Sequence, residues 1–278
     1  MNYRHAFHAG NFADLHKHTI LLAMLSALQA ESDALAVIDT HAGAGAYDLS
    51  GEMARRSGEA QAGIFRLKAA SDAPPVFGAL LAAVLKINSG QAGDLYPGSP
   101  LLIARALRKT DRYAGCELRP DDMNLLAKTL APYANAQALE ADGYVTAAGQ
   151  AGRGGRALVL IDPPFERPDD YARIVETTRA VLERGPDAVL AIWLPLKDLE
   201  TFDAFLRAME TVTPKSVGGD LLVAELRLRP LTDPMKMNGS AMVMVGAPAG
   251  VEAAAVEAGD WIASGLGEAG GRSRVWRT

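Results

Sequence analysis

The stretch ALVLIDPPFERPDD, Ala157 to Asp170, decides how the rest of the chain is read. Five apolar residues end in an aspartate, and two prolines and an aromatic follow. A continuous apolar run of this length suits a strand buried on both faces of a parallel sheet. Proline fixes φ and lacks an N–H, so Pro163 and Pro164 cannot prolong the ladder of a central strand. The chain therefore stops abruptly at Asp162, with its next two backbone angles restrained. Open α/β sheets bind their ligands just beyond the carboxyl ends of such strands.

Working outward, the same pattern recurs. Leu35 to Ile38 is a short apolar run closed by Asp39 and the glycine-bearing turn DTHAGAGAY; RYAGCEL ends in Glu117, and AQALEADGY leads to Asp142 and Gly143. Helical patterns alternate with these runs: Asn11 to about Gln29, with Asn11 or Asp14 as its cap, then SPLLIARAL, PDDMNLLAKTLA, DDYARIVETTRAVLE and LETFDAFLRAME. The tail changes texture. SVGGDLLVAELRLRP and GSAMVMVGAP alternate like antiparallel strands, and VEAAAVEAGDWIASGL separates the second from a final SRVWRT. This order predicts a doubly wound α/β sheet closed by antiparallel strands at one edge. Residues 50–95 break the alternation with helical patterns interrupted at Pro74 and Pro75, and are expected to form a helical insertion into a core made of 1–49 and 96–278.

Bulk properties narrow the class. The chain has 278 residues, 49% hydrophobic and 22% charged, which allows one large core. Its formal net charge of −5 excludes an overall basic footprint, so any nucleic-acid contact must use a local patch. The single cysteine, Cys116, excludes an intrachain disulfide and suits a reducing compartment. The polar, histidine-rich N-terminus is unlike a signal peptide, and TILLAMLSALQA is too short to span a bilayer. A soluble cytoplasmic protein without a membrane partner is expected.

Four acids, Asp39, Glu117, Asp142 and Asp162, thus gather at one sheet edge, without evident basic partners in the sequence. Such an edge suits a ligand rich in hydroxyls and amino groups. It suits a bare polyphosphate badly, and no Walker-type G-K-[ST] is present. An adenosine whose other end carries no phosphate, as in S-adenosylmethionine, satisfies both conditions. Single motifs have plainer alternatives: the glycines an ordinary strand-to-helix turn, Glu117 a solvated side chain, Asp142-Gly143 a simple turn. All five histidines (His5, His8, His16, His18, His41) lie in the first 41 residues. Zinc is not expected, because there is no H-E-x-x-H and no Cys/His cluster. Lys17 with its neighbouring histidines is expected to form a positive rim near the glycine turn.

Taken together, YRHAFHAGNFADLHKH, DTHAGAGAY, YPGSP, ADGY and IDPPFE resemble, in the same order from Tyr3 to Phe165, the bacterial 23S ribosomal RNA adenine-N6-methyltransferases. The resemblance implies a Rossmann-like class I S-adenosylmethionine-dependent sheet with a small inserted helical subdomain, and an N-terminal block, 1–19, that contacts RNA and cofactor. It implies Asp162 as catalytic acid of a D-P-P-[YF] motif with Pro163, Pro164 and Phe165. Lys17, His18, His41 and Ser99 would lie around the methionine end of the cofactor, Glu117 at the ribose, and Asp142 with Gly143 at the adenine. Tyr3 and Phe165 would contact the substrate. Phe165 departs from the usual tyrosine; the ring survives and the hydroxyl does not.

The resemblance further implies in-line methyl transfer to a flipped-out adenine of 23S RNA, either protein-free or in an early assembly intermediate, with S-adenosylhomocysteine as product and no metal. Alternatives remain at this level: a DNA adenine or a protein glutamine as substrate, a non-catalytic RNA-binding assembly factor, or another Rossmann-like nucleotide enzyme. Arg153 with Arg156, Arg227 with Arg229, and Arg272, Arg274 and Arg277 are candidate RNA contacts, each equally readable as a solvated face.

Overall fold

A computed structural model describes residues 4–90, 93–153, 155–213, 221–232 and 237–278. Its centre is an eight-stranded sheet. Five strands are parallel: β1 (Leu35–Asp39), β4 (Arg112–Cys116), β5 (Ala136–Leu139), β6 (Arg156–Ile161) and β7 (Val189–Pro195). The remaining three are β8 (Leu221–Arg227), β9 (Gly239–Val245) and β10 (Arg272–Arg277). The order across the sheet is β5-β4-β1-β6-β7-β9-β8-β10. β9 enters antiparallel between β7 and β8, and β10 adds antiparallel outside β8. The expected antiparallel edge is present, and the chain reverses direction of travel at β1, between β4 and β6. That point is the topological switch where a crevice opens.

Helices cover both faces. α1 (Phe12–Glu31), α6 (Ser99–Ala106), α7 (Pro120–Leu130) and α11 (Val251–Gly265) lie on one side; α8 (Gly143–Gln150), α9 (Asp170–Arg184) and α10 (Leu199–Val212) lie on the other. Strand β6 shows why its sequence is apolar throughout. Ala157, Val159 and Ile161 pack into the core under α8 to α10, while Leu158 and Leu160 pack into the core under α1. Asn11 caps α1, accepting from the Asp14 amide at 2.9 Å, which resolves the two candidate caps in favour of Asn11.

The segment read as an insertion carries α2 (Glu52–Ser57), α3 (Glu59–Ala62), α4 (Ile64–Ala69) and α5 (Gly78–Asn88). A two-stranded antiparallel ribbon, β2 (Ala46–Asp48) with β3 (Leu95–Pro97), joins its two ends; β3 begins inside the stretch read as purely helical. The insertion also grips the N-terminal block. Ile64 N–H donates to Gly10 O at 2.9 Å, and Glu59 accepts from His8 and Asn11.

Register places the strand-end acids. Asp39 lies level with Gly115 of β4 and Leu160 of β6. Glu117 and Asp162 therefore each emerge two residues above that level, on either side of the glycine turn. No helix among the described residues is long and apolar enough to cross a membrane.

Candidate active site

Asp162 directly follows β6 and faces an open cavity of about 890 Å³ that Gly43, Glu117 and Asp142 also border. This volume lies near the upper end of the range of small-molecule sites, roughly 300–1,000 Å³. Lys17, His18, His41, Ser99, Gly143, Pro163 and Pro164 line the same cavity. Nine of the expected site residues thus come together besides Asp162 itself, from elements as far apart as α1 and the end of β6, and Gly43 of the glycine turn joins them.

The acids are not free of partners, as their sequence context had suggested. Lys17 Nζ donates to Asp162 Oδ2 at 2.6 Å and lies 3.0 Å from Asp14 Oδ1. Arg173 of α9 donates to Asp142 Oδ2 at 2.7 Å. The other Asp142 oxygen caps α8, accepting from the amides of Tyr144 and Val145, and these contacts hold its carboxyl below the usual range although burial opposes them. Glu117 accepts from the Gly43 amide at 3.0 Å and the Arg119 amide at 2.7 Å, so it braces the glycine turn from the neighbouring strand. Asp39 is fully buried. It accepts from Ser99 Oγ at 2.8 Å and Tyr113 OH at 3.2 Å, and burial raises its carboxyl to about 6 against the Ser99 bond.

Two glycines are dictated by space. A Cβ on Gly143 would lie 2.0 Å from the Thr40 carbonyl oxygen, so this glycine lets α8 start directly against the turn after β1. Gly43 has φ of 64°, and a Cβ there would meet Tyr47 OH at 2.4 Å. No side chain caps α6, whose N-cap Gly98 and first residue Ser99 border the cavity. A helix N-terminus in this position favours a negative group.

The expected positive histidine rim does not form. His18 is buried, bonds Tyr96 OH through Nδ1 at 2.8 Å, and burial lowers it to about 3; burial likewise lowers His41 to about 4. His8 turns to Glu59. His16 points into the protein, with neither ring nitrogen bonded among the described residues. Only His5, His18 and His41 border the cavity, and the positive charge there comes from lysine and arginine.

Phe165 is not on the cavity wall. Its ring packs 5.0 Å from Tyr171 and 5.9 Å from Trp193, and its φ of 50° is the only positive value at a non-glycine among the described residues. Such strain clusters at functional sites. Tyr3 lies outside the described residues. None of the candidate RNA arginines borders the cavity: Arg156 pairs with Glu31, Arg227 with Glu225, Arg229 with Glu268 and Arg277 with Glu252.

Sequence reasoning missed His5, Asp14, Tyr144 and Arg173 as parts of the site. Tyr144 stacks edge-on to His41 at 5.0 Å and lies under the Arg173 guanidinium at 4.4 Å. The one usable signal was the position of Arg173 one turn into the helix after D-P-P-F. Among the described residues, no group of three or more His, Cys, Asp or Glu side chains is arranged to hold a metal ion.

A parallel sheet extended by β9, inserted antiparallel between β7 and β8, a glycine turn after the first strand and acids above β4, β5 and β6 define a class I methyltransferase, the class that takes its methyl group from S-adenosylmethionine. Residues 32–278 match the family described as Ribosomal RNA large subunit methyltransferase D, RlmJ, and the chain belongs to that family. Ribosomal RNA large subunit methyltransferase J of Escherichia coli (strain K12) is 32% identical over 271 residues, covering 97% of this chain and 95% of that protein. The protein of the same name from Haemophilus influenzae is 32% identical over 250 residues, covering 89% and 88%. A crystal structure from Legionella pneumophila superposes with a TM-score of 0.86 at 26% identity, over 97% of this chain and 98% of that one.

Proposed function

We propose that the chain methylates the N6 amino group of a specific adenine in 23S ribosomal RNA, with S-adenosylmethionine bound in the cavity. The observation that carries this reading is Asp162: it faces the cavity bordered by Gly43, Glu117 and Asp142, and Lys17 fixes its carboxylate. The residues present fit the cofactor. Glu117 keeps acceptor capacity for ribose hydroxyls, Asp142 and Gly143 would meet the adenine edge, and the uncapped α6 N-terminus at Gly98 and Ser99, on the same cavity as Lys17, His18 and His41, suits a carboxylate. When bound, the cofactor supplies a methyl group activated by a sulfonium.

The lone pair of an adenine N6 is delocalised into the ring, so the amine is a poor nucleophile. Asp162 accepts one of its N–H groups and the Pro163 carbonyl the other, drawing the nitrogen toward tetrahedral geometry and aiming it along the transfer line. Pro163 and Pro164 hold that carbonyl still, since a misplacement of about 1 Å can cost on the order of 100-fold in rate. After transfer the nitrogen is cationic and acidic, and its N–H proton passes to Asp162 and then to solvent. The base must leave its stack to reach the pocket, and Phe165, packed on Tyr171 and Trp193 behind Pro164, braces the motif from outside the cavity.

Labelled cofactor incubated with the protein and protein-free 23S RNA tests the reading; label must appear in N6-methyladenine, and its absence with the fold intact overturns the proposal. Competing DNA and glutamine peptides in the same assay identifies the substrate class. Asp162→Ala is expected to abolish transfer and leave RNA binding within about threefold, which separates an enzyme from an assembly factor.

A further inference from the structure

Asp14 was expected at most to cap a helix, yet its carboxylate is where the N-terminal block converges. Oδ2 accepts from the Gly10 amide at 2.9 Å and from His5 Nε2 at 3.0 Å. Oδ1 lies 3.0 Å from Lys17 Nζ and 3.9 Å from His18 Nε2. The residue is only 2% exposed. An acid that served merely the dipole of α1 would sit in solvent at the first turn. A buried one is stable only where donors satisfy it, and here two of them, His5 and Gly10, come from outside the helix. Lys17, His5 and His18 hold the Asp14 carboxyl well below its ordinary value, outweighing burial.

The Lys17 ammonium therefore lies between two carboxylates with different tasks. Asp14 is enclosed and does not border the cavity, whereas Asp162 does. We propose that Asp14 is a positioning residue for methyl transfer: its carboxylate fixes the Lys17 ammonium against Asp162 and ties the turn carrying His5 to the rim of the same cavity. This rests on the reading of Asp162 given above. As Asp162 takes the N6 proton, the N–H bond breaks, an O–H bond forms, and the electron pair stays on nitrogen. Asp162 then no longer balances Lys17, but Asp14 still does, so the ammonium keeps its place for the next turnover.

Asp14→Asn keeps the shape and removes this function. Whichever way the amide is set, its NH₂ faces either the Lys17 ammonium or the donors of His5 and Gly10. The expected result is a fall in kcat of about 100-fold, the size of a misplacement near 1 Å, with KM for cofactor and RNA and the Kd for S-adenosylhomocysteine within about threefold of wild type. A merely structural Asp14 would instead lower the melting temperature and raise both binding constants along with the loss of rate. That pattern, or an unchanged kcat, overturns the proposal. If Asp14→Asn does not fold, Asp14→Glu, which keeps the charge on a longer stem, is expected to lower kcat with binding retained, and a wild-type kcat in it is equally fatal. Wild-type protein runs alongside: no transfer by wild type means that the reading of the function has failed, whereas transfer by wild type with an unaffected Asp14 variant means that only the role of Asp14 has failed.

Discussion

Arg173 donates to Asp142 across 2.7 Å, so the helix that follows the D-P-P-F motif is tied to the first turn of α8. The pair is partly exposed, with side-chain accessibilities of 26% and 37%, and an ion pair of that kind contributes little to stability by itself. Its consequence is orientation. One Asp142 oxygen caps α8 and the other is held by Arg173, so the carboxylate cannot rotate away from the cavity.

Replacing Arg173 by Met removes the tether and keeps much of the packing on Tyr144. Affinity for S-adenosylhomocysteine, measured by calorimetry, is expected to fall about tenfold, close to 1.4 kcal/mol, with the melting temperature nearly unchanged. An unaltered affinity means that Asp142 needs no orientation or does not touch the ligand.

The aromatic of the motif gives a test on the backbone. Phe165 adopts φ of 50°, a conformation that glycine accepts and alanine resists. Both Phe165→Gly and Phe165→Ala lose the contacts with Tyr171 and Trp193. The glycine variant should nevertheless be the more stable of the two by about 0.5–1 kcal/mol in denaturant unfolding. Phe165→Tyr should stay within a fewfold of wild type in transfer rate, because the ring is kept.

Gly143 and Gly149 both lie in α8 and should respond to alanine in opposite directions. A Cβ at Gly143 collides with the Thr40 carbonyl, whereas nothing lies within 4 Å of one at Gly149. Gly143→Ala is expected to cost about 2–3 kcal/mol through overpacking and to displace the turn after β1. Gly149→Ala should gain up to about 1 kcal/mol from helix propensity. Unfolding curves of the two variants check both signs at once.

These contrasts show what the sequence could carry. The strand-end acids were legible because each follows an apolar run, and the parallel order because helical and strand periods alternate. Contacts between distant residues were not. Lys17 and Asp162 are 145 positions apart, and Asp39 meets Ser99 and Tyr113 across 60 and 74. Nothing local in D-P-P-F names a lysine in α1 as its counter-ion. The histidines failed for a different reason: clustering in sequence was read as clustering in space. His16 and His18 are two positions apart on a helix, where side chains point to different faces. One turns toward Tyr96 and the cavity, the other toward α11.

The buried histidines set the response to acid, and His16 isolates the effect. Burial lowers it to about 4 from an ordinary 6.5. Below pH 6.5 the unfolded chain takes up this proton before the folded one does, so the free energy of unfolding falls as pH drops from 6.5 toward 4 and is recovered as pH rises. For one group the full effect is on the order of 3 kcal/mol. His41 and His18, also lowered by burial, act in the same sense; Asp39, raised to about 6, opposes them because its folded form holds a proton that the unfolded chain has released. His8, raised by its hydrogen bond to Glu59, also opposes them near pH 6.5, so the three lowered histidines leave a stability that rises chiefly between pH 4.5 and 6. His16→Leu should flatten that rise. At pH 7.5 it should be neutral or stabilising, since both ring nitrogens are buried without a partner among the described residues and an apolar side chain leaves no donor unsatisfied. Urea unfolding of the two proteins across this pH range measures both quantities. A loss above about 2 kcal/mol at pH 7.5 would mean that His16 makes a buried hydrogen bond, and an unchanged slope that its ring is charged in the folded protein.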